Sequence, residues 1–243
     1  MRLSTAAAAV LIVSAGVLAA PAPHADADVA GKTVVLDAGH GASAASPLTT
    51  QVPNGRGGTK DCQTTGTSTN DGFPEHTFNW DVVTKIRSEL EARGANVVLT
   101  RSDDTGPAPC VDTRAATGNA AQPAAIVSIH GDGGPPSGRG FHVNYSNPPV
   151  ADAPSQGEPS IRLATTVRDA LAGAGFVEST YLGSAGLFGR SDLAGLKLAR
   201  YPAVLVELGN MRNADDAALM SSDQGRAAYA TAVANGIAAY VGG

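Results

Sequence analysis

His40 and His130 each stand where an apolar run ends and glycines begin: VVLDAGHG spans the first and AIVSIHGD the second. Glu207 closes a third such run, AVLVE, and Glu75 follows a proline at the head of a helical pattern. Apolar, β-branched runs of this length read as buried strands, and glycine lets backbone approach a ligand closely just past a strand's end. Two imidazoles and a carboxylate are a three-ligand set of the kind that catalytic zinc uses, with a fourth position left to water. Zinc so held lowers the pKa of water to about 7 and polarises a carbonyl, while a carboxylate outside the ligand set carries the proton. Spacing alone leaves open whether Glu75 or Glu207 is the ligand. The short H-E-x-x-H zinc motif does not occur in this chain.

These four residues need elements that bring them together. Strands are predicted over Lys32–Asp37, Ala95–Arg101, Ala124–His130, Phe141–Tyr145 and Ala203–Val206. Helices are predicted from Glu75 to a stop at Gly94, then over Asp112–Ala121, Ile161–Leu171, Ala214–Ser221 and Gln224–Val241. Phe78, Val82, Val83, Ile86 and Leu90 recur at helical spacing in the first of them. Alternating strands and helices imply an α/β fold: a mainly parallel twisted sheet with helices on both faces. In such a sheet ligands bind outside the carboxyl ends of the strands, where His40, His130 and Glu207 fall. The stretch 42–72 is rich in Ser, Thr, Gly, Pro and Asn and reads as a flap-like insertion beside that edge, with Asn54-Gly55 able to turn a hairpin.

The chain has 243 residues, 43% of them apolar and 16% charged, with a net charge of −5. Its length suits one domain, and no basic cluster or aromatic platform suggests a nucleic-acid partner. Residues 1–27 carry Arg2, an apolar stretch and the small residues Ala25-Asp26-Ala27, the pattern of a secretory signal peptide. The mature domain is expected over 28–243, with no membrane segment after cleavage and, for want of a long exposed apolar helix stripe, as a monomer. Cys62 and Cys110 are the two cysteines; in an exported chain they read as one disulfide, which chain entropy values at about 4 kcal/mol.

LDAGHG at 36–41, the helix-opening Glu75, SIHGDG at 128–133 and PAVLVELGN at 202–210 resemble the zinc-dependent N-acetylmuramoyl-L-alanine amidases of the amidase-3 family. The stretches ELEARGANVVLTRSDD at 89–104 and NMRNADDAALM at 210–220 are similar to that family as well, so the resemblance spans roughly 32–241. It implies that His40, Glu75 and His130 hold zinc and that Glu207 is the catalytic carboxylate. It implies hydrolysis of the amide between N-acetylmuramic acid and L-alanine in peptidoglycan or muropeptides, by a protein located in the periplasm or cell wall. Two positions depart from the family pattern: Asp132 stands where asparagine is usual, adding negative charge near the metal, and Ala42 replaces a second glycine.

Other polar residues have plainer readings. His76 points about 100° away from Glu75 on the helix and is not expected to share its metal. His142 and Asn144 are expected on one exposed strand face, Asp37 bonded to the glycine turn after it, and Trp80 in the core. Arg190 is the candidate for pairing with a stem-peptide carboxylate. Two other functions fit the same residues: a zinc peptidase acting within the stem peptide, and a wall-binding protein without turnover.

Overall fold

The computed structural model describes residues 29–42, 48–153 and 156–243. The expected signal peptide over 1–27 and the 43–47 part of the insertion lie outside the described residues. The elements run β1 (Thr33–Ala38), β2 (Gln51–Pro53), β3 (Thr59–Asp61), α1 (Glu75–Ala92), β4 (Asn96–Leu99), α2 (Val111–Ala120), β5 (Ala125–Asp132) and β6 (His142–Ser146). They continue with α3 (Gly157–Gly173), β7 (Leu187–Arg190), α4 (Ala194–Leu198), β8 (Ala203–Asn210), α5 (Ala214–Ser221) and α6 (Asp223–Val241).

Six strands form one sheet in the order β4-β1-β5-β8-β6-β7. The strands β4, β1, β5 and β8 are parallel, as the alternating pattern predicts. β6 is antiparallel to β8, and β7 is parallel to β6. The reversal has a simple cause: residues 133–141 join β5 to β6 without a helix, and a parallel return needs a crossover of about a dozen residues or more. α3 then supplies such a crossover between β6 and β7.

The two faces of the sheet differ in chemistry because side chains alternate along each strand. Val34, Leu36 and Ala38, Val127 and Ile129, and Val204, Val206 and Leu208 face one way, into a core shared with Phe78, Val82, Leu163 and Val233. α1, α3 and α6 cover that face. Asp37, Ser128, His130, Leu205 and Glu207 face the other, where among the described residues the short α2 and α4 and the hairpin lie close. Helices therefore sit on both faces, unequally, and the thinly covered face keeps room for a cleft.

Pro74 precedes α1 with extended backbone, and Gly94 ends the helix region at φ 87°. Phe78, Val82, Val83, Ile86 and Leu90 are all fully buried, as their spacing predicts. Within the insertion, β2 and β3 pair as a hairpin around a loop that Asn54 and two positive-φ glycines, Gly55 and Gly57, fold. Cys62 and Cys110 form the disulfide, tying the segment after that hairpin to the start of α2. Among the described residues no helix is long and apolar enough to cross a membrane.

Candidate metal centre

β1 and β5 are parallel neighbours, so the ends of VVLDA and AIVSIH deliver His40 and His130 to the same edge of the sheet. α1 starts at that edge with Glu75. Nε2 of His40 lies 3.2 Å and Nδ1 of His130 lies 3.0 Å from Oε1 of Glu75. The two rings meet edge to face with centroids 4.9 Å apart. One donor atom from each of the three residues falls within 4.8 Å of the others. A tetrahedral zinc site with bonds of about 2.05 Å has donor–donor edges of roughly 3.3 Å, so the set fits that ion with little movement.

The insertion fixes these side chains from the outside. The carbonyl of Thr64 accepts from Nδ1 of His40 at 2.8 Å, which leaves the Nε2 lone pair facing Glu75. The backbone N–H of Thr67 donates to Oε2 of Glu75 at 2.8 Å. Between them Gly66, at φ 77°, packs so closely that a Cβ there would lie 2.7 Å from Oε2 of Glu75 and 3.0 Å from the His40 ring. His40 itself sits at φ 59°, a left-handed conformation uncommon outside glycine. Gly39 has no room for a side chain: a Cβ would come within 2.2 Å of the His130 ring. Gly39→Ala is accordingly expected to push His130 aside and weaken zinc binding by about tenfold or more, read by competition with a chromogenic chelator.

Burial disfavours the charged form of all three residues, and their mutual contacts then decide the outcome. Glu75 is drawn well below the usual carboxylate range by His130 and His40 despite its burial. His130, the more deeply placed imidazole, is shifted down by burial and by His40, with Glu75 opposing. His40 is shifted up, because the hydrogen bond and charge of Glu75 outweigh burial.

Glu207 is the register partner of His130 across β5 and β8. Both line a cleft of about 240 Å³ that His40 also lines and that runs down the thinly covered face of the sheet. The surrounding protein pushes the Glu207 carboxyl well above its ordinary range, and the charges of Glu75 and Asp132 add to that. Oε2 of Glu207 is buried and, among the described residues, has no hydrogen-bond partner. The strand runs three residues beyond Glu207, to Asn210, whose side-chain amide donates to the carbonyls of Pro135 and Gly138. Asp132 accepts from the Tyr181 hydroxyl at 2.8 Å and from the Gly133 N–H at 2.7 Å.

Several plainer expectations change. His142 and Asn144 do share a face, but it is buried, at 1% and 0% exposure rather than open to solvent. Tyr181 and Phe188 enclose the His142 ring, and burial brings its pKa down to about 4. Asp37 does not bond the glycine turn; it accepts from Thr100, Ser128 and Arg114 at 2.5, 2.6 and 2.9 Å. Trp80 is half-buried against the core under the Arg101 guanidinium. His76 stays out of the metal set and pairs with Asp104 at 2.8 Å. Arg190 stacks on Phe188 and is forked onto Asp192, at 2.6 and 2.7 Å.

Burial alone would raise the Asp37 carboxyl, but the charge of Arg114 and the Ser128 and Thr100 hydroxyls bring it down to about 2. A carboxyl held below its unfolded value stabilises the fold above about pH 4, and that contribution is lost as pH falls through 2. The shift corresponds to roughly 2 kcal/mol. Asp37→Asn is expected to flatten the pH dependence of the denaturant midpoint between about pH 4 and pH 2, where the parent protein loses stability more steeply.

Fold and site together define a class: an open α/β domain presenting a His–Glu–His donor set and a buried acid at the carboxyl edge of its sheet, as suits a metal-assisted hydrolase. The family model described as N-acetylmuramoyl-L-alanine amidase matches residues 34–239. The chain is 50% identical over 232 residues to the N-acetylmuramoyl-L-alanine amidase Rv3717 of Mycobacterium tuberculosis, covering 96% of this chain and 95% of that one. The crystal structure of the N-acetylmuramyl-L-alanine amidase Ami1 from Mycobacterium smegmatis superposes with a TM-score of 0.86 at 52% identity, covering 88% and 99% of the two chains. The apo form of Ami1 from Mycobacterium abscessus gives 0.85 at 57%, covering 87% and 99%. The chain belongs to the N-acetylmuramoyl-L-alanine amidase family.

Proposed function

We propose that residues 28–243 form a secreted, zinc-dependent catalytic domain released from a signal peptide over 1–27. It acts as a monomer in the periplasm or cell wall. Its reaction is hydrolysis of the amide between the lactyl group of N-acetylmuramic acid and L-alanine, in peptidoglycan or its muropeptide fragments. That activity serves wall turnover, remodelling and separation of daughter cells. One observation carries the reading: donor atoms of His40, Glu75 and His130 converge within 4.8 Å, and the two histidines line one cleft with Glu207.

His40 through Nε2, His130 through Nδ1 and Glu75 through a carboxylate oxygen would hold the zinc. When bound, the ion supplies Lewis-acid polarisation of the scissile carbonyl and eases deprotonation of water. Glu207 takes the proton of the attacking water and passes it to the nitrogen of L-alanine as the amide bond breaks. A carboxyl both accepts and returns a proton, which are the two halves of that transfer. Thr64, Gly66 and Thr67 keep His40 and Glu75 in place, which is the part we assign to the 42–72 flap. Arg190, whose charge is felt by Glu207, serves as a peripheral substrate contact.

Mass spectrometry of a defined muropeptide incubated with the protein tests the reading. Release of a free peptide beginning at L-alanine, lost on chelation, is the expected result. Cleavage inside the peptide would make the protein a peptidase instead, and binding without any product from a zinc-loaded sample would make it a wall-binding protein.

A further inference from the structure

The cleft extends well past the four residues that the reaction uses. It continues between the sheet and α2 and α4, where Val111, Ala115, Leu193 and Leu196 wall it. Its volume of about 240 Å³ is smaller than the roughly 300–1,000 Å³ of drug-sized sites, so it suits a short segment of chain. Buried polar groups are nearly always hydrogen-bonded, so those without partners call for an explanation. Three residues that line this one cleft each carry a buried polar atom without a hydrogen-bond partner among the described residues: Oε2 of Glu207, Oε1 of Gln63 and Nε of Arg114.

Their chemistry is complementary to a peptide. Gln63 is 5% exposed and donates Nε2 to the carbonyl of Ala108, which turns its bare acceptor, Oε1, away from that bond. The neighbouring disulfide holds its backbone. Arg114 is 9% exposed and gives only Nη1 to Asp37, so among the described residues the side-on Nε–Nη2 edge of the guanidinium has no partner. That edge matches a carboxylate bidentately. Arg190, by contrast, already spends its fork on Asp192.

Resting on the amidase reading above, we propose that this cleft is the subsite for the leaving peptide: Gln63 accepts one of its amide N–H groups, and Arg114 binds a free carboxylate on it. In a stem peptide that carboxylate is the α-carboxylate of the γ-linked D-glutamate following L-alanine. Position agrees with chemistry, since Glu207, which protonates the departing nitrogen, lies in the same cleft as Arg114.

The test compares two muramyl dipeptides differing in one group, the D-glutamate α-carboxylate or its carboxamide, cleaved by the zinc-loaded full chain. The carboxylate form is expected to have at least tenfold higher kcat/KM. In the double variant Asp37→Asn/Arg114→Gln, which leaves no unpaired buried charge, that ratio falls towards one while cleavage persists. Arg114→Lys keeps a charge opposite Asp37 without the fork, and reads the same ratio if the double variant does not fold. Gln63→Leu raises KM several-fold for both substrates alike and leaves their ratio unchanged. Equal cleavage of the two dipeptides by the parent protein overturns the subsite and leaves the amidase reading standing. A preference that survives both Arg114 variants but collapses in Arg190→Gln overturns it in favour of Arg190. If neither dipeptide is cut between muramic acid and L-alanine, the amidase reading itself fails.

Discussion

Glu207→Gln is expected to lower kcat by about 10³-fold while zinc content stays at one ion per chain and KM changes little. The amide has the shape of the carboxyl but neither accepts nor delivers a proton at neutral pH, so the loss falls on the chemical step rather than on binding. In the metal-free protein the same substitution is expected to leave the fold as stable as before or more so. Glu207 sits in surroundings that disfavour its charge, with Glu75 and Asp132 adding repulsion, and a neutral side chain is free of both penalties. A gain of about 1 kcal/mol would appear as 2–4 °C in a chain of this size. Opposite signs for activity and stability are the signature of a group kept for chemistry. Steady-state kinetics and metal analysis of the zinc-loaded protein, with a melting curve after chelation, read all three. Retention of more than a tenth of kcat would remove Glu207 from the proton transfer.

The second large effect concerns the metal. Stripping zinc with a chelator, or replacing His130 by Ala, is expected to abolish turnover and to lower the melting temperature by about 10 °C. A ligand present at a thousand times its dissociation constant stabilises the native state by about 4 kcal/mol, which sets that figure. The chelated protein should remain folded, because Glu75 stays bonded to His40, His130 and the Thr67 N–H. Adding back zinc is expected to restore both activity and melting temperature in the stripped parent protein but not in the His130→Ala variant. Magnesium should restore neither, since it prefers six oxygen donors and the set holds two nitrogens. Full activity in a sample verified as metal-free would sink the mechanism.

Much of the molecule was legible in the order of residues. Apolar runs ending in His40, His130 and Glu207 marked the parallel strands, because burial on both faces of such a sheet demands near-continuous hydrophobic sequence. The spacing of Phe78, Val82, Ile86 and Leu90 marked the first long helix, with Glu75 at its head. Asn54-Gly55 marked the hairpin, and two cysteines marked the disulfide. These signals are local: each depends on residues within about one element of one another. The four-residue constellation followed from them by topology alone, since parallel strands end at a common edge.

The contacts around that edge were not legible. Asp37 was expected to serve its own turn, yet it holds Arg114, 77 residues away in the chain. His142 alternates like a half-exposed strand residue, yet Tyr181 and Phe188 bury it. β7 and α4 are too short to show a period, and they form because β6 and β8 offer surface for them. Gln63 lies in a stretch whose composition reads as loop, and only the disulfide and the Ala108 carbonyl turn it into the wall of a cleft. Local sequence thus determined which side chains are able to act and at which end of the sheet they gather. Tertiary structure alone decided their partners, because a hydrogen bond or ion pair between distant residues depends on register and packing, which no local pattern encodes.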